Sequence, residues 1–328
     1  MDTGHGKQSM VKRKSDKVMD EYFPGFYVGQ EDLQTFQQNA LIVVDAYLLL
    51  DLFRISEGKK FIELLQQDNI KVKLWLPYDA VWLYHQLMHS VLMEQIDKVK
   101  STLFYLVQFK QNLDNEYTHP YVKDRLMIRT NRLIRDLKKA LNRESKDLAN
   151  ALQSQDDSIP SFINALYPKN NIGEEYGKTE LKQLFEEASE RYTQETPPGY
   201  LYDNVCKNNR VKYHDYIIWN EIQKCAKDKK KDIIFVTNRI RPDWFFIYDD
   251  KVLGPRKELI NEFKKETQRN IYIVTAHCFV GKNVRAEQRN EYNRLLNQLP
   301  KTPVYGYATQ RIEKEQNHTG NEFVNTIG

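Results

Sequence analysis

The sequence predicts an α/β fold built on a parallel sheet, and three observations carry that expectation. Two short runs, Leu41-Ile42-Val43-Val44 and Ile233-Ile234-Phe235-Val236, are apolar throughout, the composition of strands buried on both faces. Helical periodicity flanks both runs: Tyr47, Leu48, Leu49, Leu50, Leu52 and Phe53 follow the first, and Tyr216, Ile217, Ile218, Trp219, Ile222 and Ala226 precede the second. Each run ends in polar residues, Asp45 in one case and Thr237-Asn238-Arg239 in the other. In open parallel sheets, the loops at the carboxyl ends of the strands are where ligands bind.

Taken in order, residues 1–19 are polar and basic without the apolar stretch of a secretory leader, and read as a flexible arm. Phe23, Phe26 and Tyr27 around Pro24-Gly25 form an aromatic lead-in, and Gln30–Gln38 a short helix. After the first strand and its helix comes a second short helix, Lys60–Gln66. Val72, Leu74 and Leu76, with Lys71, Lys73 and Trp75 between them, predict a second strand ended by Pro77. The next helix begins near Asp79 and runs through His85. From His89 to Thr196 the pattern is helical, with Ser90–Leu113 and Tyr121–Leu152 as partners joined by the turn DNEYTHP. Residues 153–175 read as an irregular connector, and Lys178–Arg191 as an amphipathic helix leading to the turn Pro197-Pro198-Gly199-Tyr200. The helix opened by His214 and Asp215 ends at Lys229-Lys230-Lys231, where the dipole favours cations. Helix Glu258–Lys264, strand Ile271–Val274 and helix Val284–Leu296 complete the pattern. Residues 20–88 and 197–280 thus make one α/β domain, 89–196 a large helical insertion, and 281–328 a C-terminal extension.

Composition bounds the function. Hydrophobic content of 41% and charged content of 29% fit a folded chain, and a net charge of +4 excludes a polycation. Any nucleic-acid surface must therefore come from local clustering. One such cluster lies on the second insertion helix, where Arg125, Arg129, Arg132, Lys139, Arg143 and Lys146 fall within a ~100° arc at 3.6 residues per turn. Leu126, Leu133, Leu137, Ala140, Leu141 and Leu148 occupy an adjoining face. A basic stripe beside an apolar one can hold a phosphate backbone; the plain alternative is a solvated face with some ion pairs. Cys206, Cys225 and Cys278 are scattered, which fits a reducing cytoplasm and indicates neither a zinc site nor a disulfide framework. No apolar run approaches the ~20 residues that span a bilayer, so no membrane partner is expected.

The acids suggest a cation site. Asp45 ends the first strand, Asp215 opens the helix before the later one, and Asp243 follows that strand. Hard divalent ions take oxygen ligands, and Mg²⁺ needs only one or two carboxylates beside water and phosphate. The alternative is that Asp45 and Asp215 cap helices.

At these residues the chain resembles the bacterial PIN-like domains, relatives of the PIN ribonucleases of toxin–antitoxin and defence systems. The pieces run in order: FPGFY at 23–27, LIVVDAYLLLDLFR at 41–54, LWLPYDAVWLYH at 74–85 and IGEEY at 172–176. PPGY at 197–200, HDYIIWNEI at 214–222, IIFVTNRIRPDWF at 233–245 and LGPRKELINEFKKET at 253–267 follow. The resemblance implies a Rossmann-like parallel sheet whose acids bind Mg²⁺ or Mn²⁺ and hydrolyse phosphodiesters. Asp45, Asp215 and Asp243 would hold the metal, with Thr237 and Asn238 orienting a water. The sequence departs from the family pattern at three places. Asp45-Ala46-Tyr47 stands for Asp-Thr-Asn, Leu83 for a glutamate, and Thr237-Asn238-Arg239 for Thr-Asp-Asp. Arg239 beside the site would compete with a cation or contact phosphate.

Three functions are therefore carried forward. The first is a cytoplasmic Mg²⁺- or Mn²⁺-dependent nuclease acting on RNA ahead of DNA, in phage defence or growth control. The second is a degenerate relative that binds nucleic acid or a protein without cleaving. The third is a structural subunit that assembles, as a homo-oligomer or with a partner, through the insertion or the C-terminal tail.

Overall fold

The computed structural model describes residues 39–55, 58–115, 124–153, 159–202, 208–249, 251–284 and 286–298. The basic arm, the aromatic lead-in, the Gln30–Gln38 helix, Cys206 and the tail beyond 298 lie outside the described residues. Along the chain run β1 (Leu41–Val44), α1 (Ala46–Asp51, extended by a 3-10 turn to Arg54), α2 (Gly58–Gln66), α3 (Asp68–Lys71) and β2 (Leu74–Trp75). Then come α4 (Tyr78–Leu113), α5 (Asp124–Gln153), α6 (Ile159–Leu166), α7 (Lys178–Thr193), α8 (Asn209–Lys212) and α9 (His214–Lys229). The last part is β3 (Ile233–Thr237), β4 (Phe245–Tyr248), β5 (Lys251–Pro255), α10 (Lys257–Thr267), β6 (Ile271–Thr275), α11 (Ala276–Asn283) and α12 (Ala286–Leu296).

Four strands form one parallel sheet in the order β2-β1-β3-β6. The fold class read from the sequence is the one observed. β1 and β3 are central because they are the two fully apolar runs; every residue of β3 is buried, as a strand covered on both faces requires. Side by side on the sheet pack α4, α9 and α10, with Trp219, Ile222 and Phe263 among the fully buried side chains.

Several elements differ from expectation for physical reasons. The second strand shrinks to Leu74–Trp75, because Val72 sits in a turn and is 75% exposed. Leu76 instead bridges in parallel to Ile172, in the stretch read as an irregular connector. The helices expected over 79–85 and 90–113 are one, since no glycine or proline interrupts 78–113. The connector also contains α6, whose Ile163 and Leu166 join the core. The antiparallel β4–β5 hairpin was not legible, its burial alternating too weakly over so few residues.

Within residues 89–196, α5 packs on the outer half of α4, whereas α7 returns to the α/β core through Leu184, Ala188 and Tyr192. Leu126, Leu133 and Leu137 of the apolar face of α5 are turned outward. Leu126 is 49% and Leu133 59% exposed, and the helix is seated through Thr130 and Ile134, which are buried. Antiparallel pairing with α4 selects that seam, because it brings Thr130 and Ile134 opposite α4 rather than the leucine row.

Candidate functional site

The carboxyl ends of β1 and β3 lie side by side, with Val44 paired to Val236. That pairing sets Asp45 next to Thr237. Asp45 caps α1, its Oδ1 accepting from the amide of Tyr47 at 3.3 Å. Its Oδ2 accepts from the Thr237 hydroxyl at 2.6 Å, and that hydroxyl oxygen in turn accepts from the amide of Arg239 at 3.0 Å. One carboxylate thus caps the helix and joins the side-chain cluster at the strand ends.

The guanidinium of Arg239 occupies the centre, 1% exposed. Its Nε lies 3.5 Å from Asp45 Oδ2, its Nη1 donates to Asp215 Oδ1, and its carbon stands 3.6 Å above the Tyr47 ring centroid. Its Nη2 stands beside His214 Nε2, and His214 Nδ1 faces the Val211 carbonyl. His214 Nε2 also lies 3.2 Å from Asp215 Oδ1. Two departures from the family pattern, Tyr47 and Arg239, are thus stacked on each other, an arrangement that stabilises a desolvated cation.

Arg241 forms the second clamp. Its Nη2 reaches Asp215 Oδ2 at 2.6 Å and Asp243 Oδ2 at 2.9 Å. Asp243 also accepts from the amide of Gly199 at 2.9 Å. Glycine is required at 199: φ is +95°, and a Cβ there would lie 2.8 Å from the Asp215 Cβ. The PPGY turn therefore closes one side of the acid cluster.

Charge follows geometry. Burial alone would raise the Asp215 carboxyl, but Arg239, His214 and Arg241 together outweigh it and hold it well below the carboxylate range. Burial raises Asp243, and the adjacent Asp215 charge adds to that against the pull of Arg241.

The structure thus brings Asp45, Thr237, Arg239, Asp215 and Asp243 together. Asn238 is half-buried and its side chain makes no hydrogen bond among the described residues. Leu83, where the family carries a glutamate, is fully buried in the core. Asp79, four residues earlier on the same helix, points to Arg210 Nε at 2.7 Å. Arg125, Arg129, Arg132, Lys139 and Arg143 are all exposed on α5. His214, Arg241 and Gly199 were missed as site residues. The available signal was electrostatic: a buried acid needs a buried cation, and residues 237–243 hold two arginines.

The residues do not fit Mg²⁺ or Mn²⁺ in this arrangement. Asp215 carries a guanidinium on each oxygen and Asp45 is engaged at both, which leaves Asp243 Oδ1 as the one carboxylate oxygen of the three without a partner among the described residues. Among the described residues, no group of three or more His, Cys, Asp or Glu side chains is placed to hold a metal ion. The guanidinium of Arg239 supplies the positive charge that the acids demand. Also among the described residues, no helix is long and apolar enough to cross a membrane.

A family described as PIN like domain matches residues 41–259 of the chain. No curated protein and no solved structure matches it.

Proposed function

The chain belongs to the PIN-like domain family, a nuclease-type fold family whose members are generally metal-dependent, and from that premise we propose that it binds nucleic acid without metal-dependent cleavage. The observation that supports this reading is the double clamp on Asp215, which is bound by both Arg239 and Arg241 at the place where a metal-dependent site needs open carboxylates. Thr237 orients Asp45 and Arg239 rather than a water, and Asn238 has no assigned part.

Binding would fall to α5, whose exposed Arg125, Arg129, Arg132, Lys139 and Arg143 can meet successive phosphates, RNA ahead of DNA. Arg239 is too deeply buried to serve as a phosphate contact in this state. The test is the full chain with Mn²⁺ and labelled RNA and DNA. Retention of the nucleic acid, uncut, is the expected result. Mn²⁺-dependent cleavage that Asp215→Asn abolishes would restore the nuclease reading.

A second reading has its own observation. Phe104, Tyr105 and Phe109 on α4 and Leu126, Ile128 and Leu133 on α5 are exposed, an apolar content that suits a protein partner or a second copy on this helix pair. Light scattering of the purified chain separates a dimer from a monomer.

A further inference from the structure

A cleft of about 700 Å³ lies between α9 and the 169–176 segment, apart from the clamped acids. That volume is within the range of small-ligand sites, roughly 300–1,000 Å³. Two of the sequence pieces named above meet in it, LWLPY through Trp75 and Tyr78 and IGEEY through Ile172 to Tyr176. They meet closely because residue 173 is glycine: a Cβ there would stand 3.0 Å from Trp75 Cζ2 and 3.1 Å from the Tyr78 nitrogen. Trp75, Tyr78 and Tyr176 give the cleft an aromatic wall.

Its charges sort into engaged and free. Glu175 lies 3.6 Å from Arg210, which itself stacks over Trp82 at 4.5 Å. Glu221 is buried, both its oxygens turned to the amide of Asp79 at 3.3 and 3.1 Å. Burial, with the Asp79 charge added, pushes Glu221 well above the carboxylate range. That shift favours its protonated form. Lys169, Lys224 and Lys229 make no ion pair among the described residues, and neither do Glu174 and Asp228. Lys224 Nζ stands 5.5 Å from the Tyr176 ring centroid, so one of the three ammonium groups already adjoins the aromatic wall.

We propose that this cleft binds a nucleoside 5′-monophosphate, free or as the 5′-phosphorylated end of a nucleic acid, with the base on the aromatic wall and the phosphate among the three lysines. An amine ligand would meet those lysines, and a bare polyphosphate would meet Glu174 and Asp228. A ring joined to a single phosphate uses both halves. The free-nucleotide form stands apart from the nucleic-acid reading above, whereas the strand-end form rests on it.

The test is calorimetry on the full chain with the four common nucleoside monophosphates, with nucleosides and inorganic phosphate as controls, and with oligonucleotides carrying 5′-phosphate or 5′-hydroxyl ends. At least one monophosphate is expected to bind at about 0.1 mM or tighter, with the nucleoside and phosphate far weaker. Lys224→Met and Tyr176→Ala should each weaken it about tenfold, the cost of ~1.4 kcal/mol in one contact. Lys224 is exposed, so its variant keeps the test readable should Tyr176→Ala fold poorly. A preference for the 5′-phosphorylated strand that Lys224→Met removes, without free-nucleotide binding, assigns the site to strand ends. The proposal falls if neither ligand binds, if inorganic phosphate competes equally, or if Lys224→Met leaves affinity unchanged. Nucleic-acid binding that survives Lys224→Met but is lost on changing α5 leaves the wider reading standing and removes this one.

Discussion

At the scale of single residues, the clamp makes Arg239 the most consequential side chain in the molecule. Its side chain is fully buried, with Asp215, His214 and Tyr47 in contact. Removing one partner of a buried ion pair strands the other, at a cost of ~3–5 kcal/mol. Arg239→Ala should therefore lower stability by that order in urea unfolding, and adding Asp215→Asn should recover part of the loss. Additive losses in the double variant would show that the two do not act as a pair. Asp215 and Asp51 make opposite contributions with pH. The folded-state value of Asp215 is depressed, so its stabilisation is present above the ordinary carboxylate value of 3.8 and is lost as pH falls below it. Burial raises Asp51 to about 7 despite its pair with Arg54 at 2.7 Å. Its contribution is full below 3.8 and is lost as pH rises toward about 7. Asp51→Asn should accordingly flatten the decline in stability between those limits, and an unchanged profile in pH-dependent melting would contradict this.

At the scale of elements, α5 is where pattern and packing parted. Its charge period was legible, and the basic row is exposed as such a row should be. Its buried face was not, because two apolar arcs adjoin on this helix and only the neighbour chooses between them. Thr130 and Ile134 face α4, and Leu126 and Leu133 are left outside. Arg129→Gln, Arg132→Gln and Lys139→Gln together should weaken nucleic-acid binding and flatten its salt dependence by ~0.7–0.9 in slope per lost contact. An unaltered slope would mark the row as a solvated face. Leu133→Gln, at 59% exposure, should move stability by no more than ~0.5 kcal/mol. A larger loss would mean that something covers the outer face of the hairpin.

For the whole molecule, the sheet brings acids from three separate stretches to one end, and arginines from the same β3–β4 loop meet them there. Positive charge is thereby built into the chain. The melting temperature should then be indifferent to EDTA and to Mn²⁺ or Mg²⁺ at constant ionic strength. A ligand at a hundred times its dissociation constant would add ~2.7 kcal/mol, so a bound metal would be visible as a shift. Such a shift, lost in Asp45→Asn, would return the acids to a metal site.

The sequence by itself determined the parallel sheet and where its strands end. Runs such as Leu41–Val44 and Ile233–Val236 have one stable use, burial on both faces, and that information is local. It also placed Asp45, Asp215 and Asp243 at the strand and helix ends that the sheet gathers. What those acids bind there was decided by tertiary structure alone. Arg239 reads equally as a competitor for a metal or a contact for phosphate until the fold shows it stacked on Tyr47 and donating to Asp215. The reason is physical: the partner of a buried charge is set by distances of a few ångströms between segments far apart in the chain, and Arg239 and Tyr47 are separated by nearly the full length of the domain.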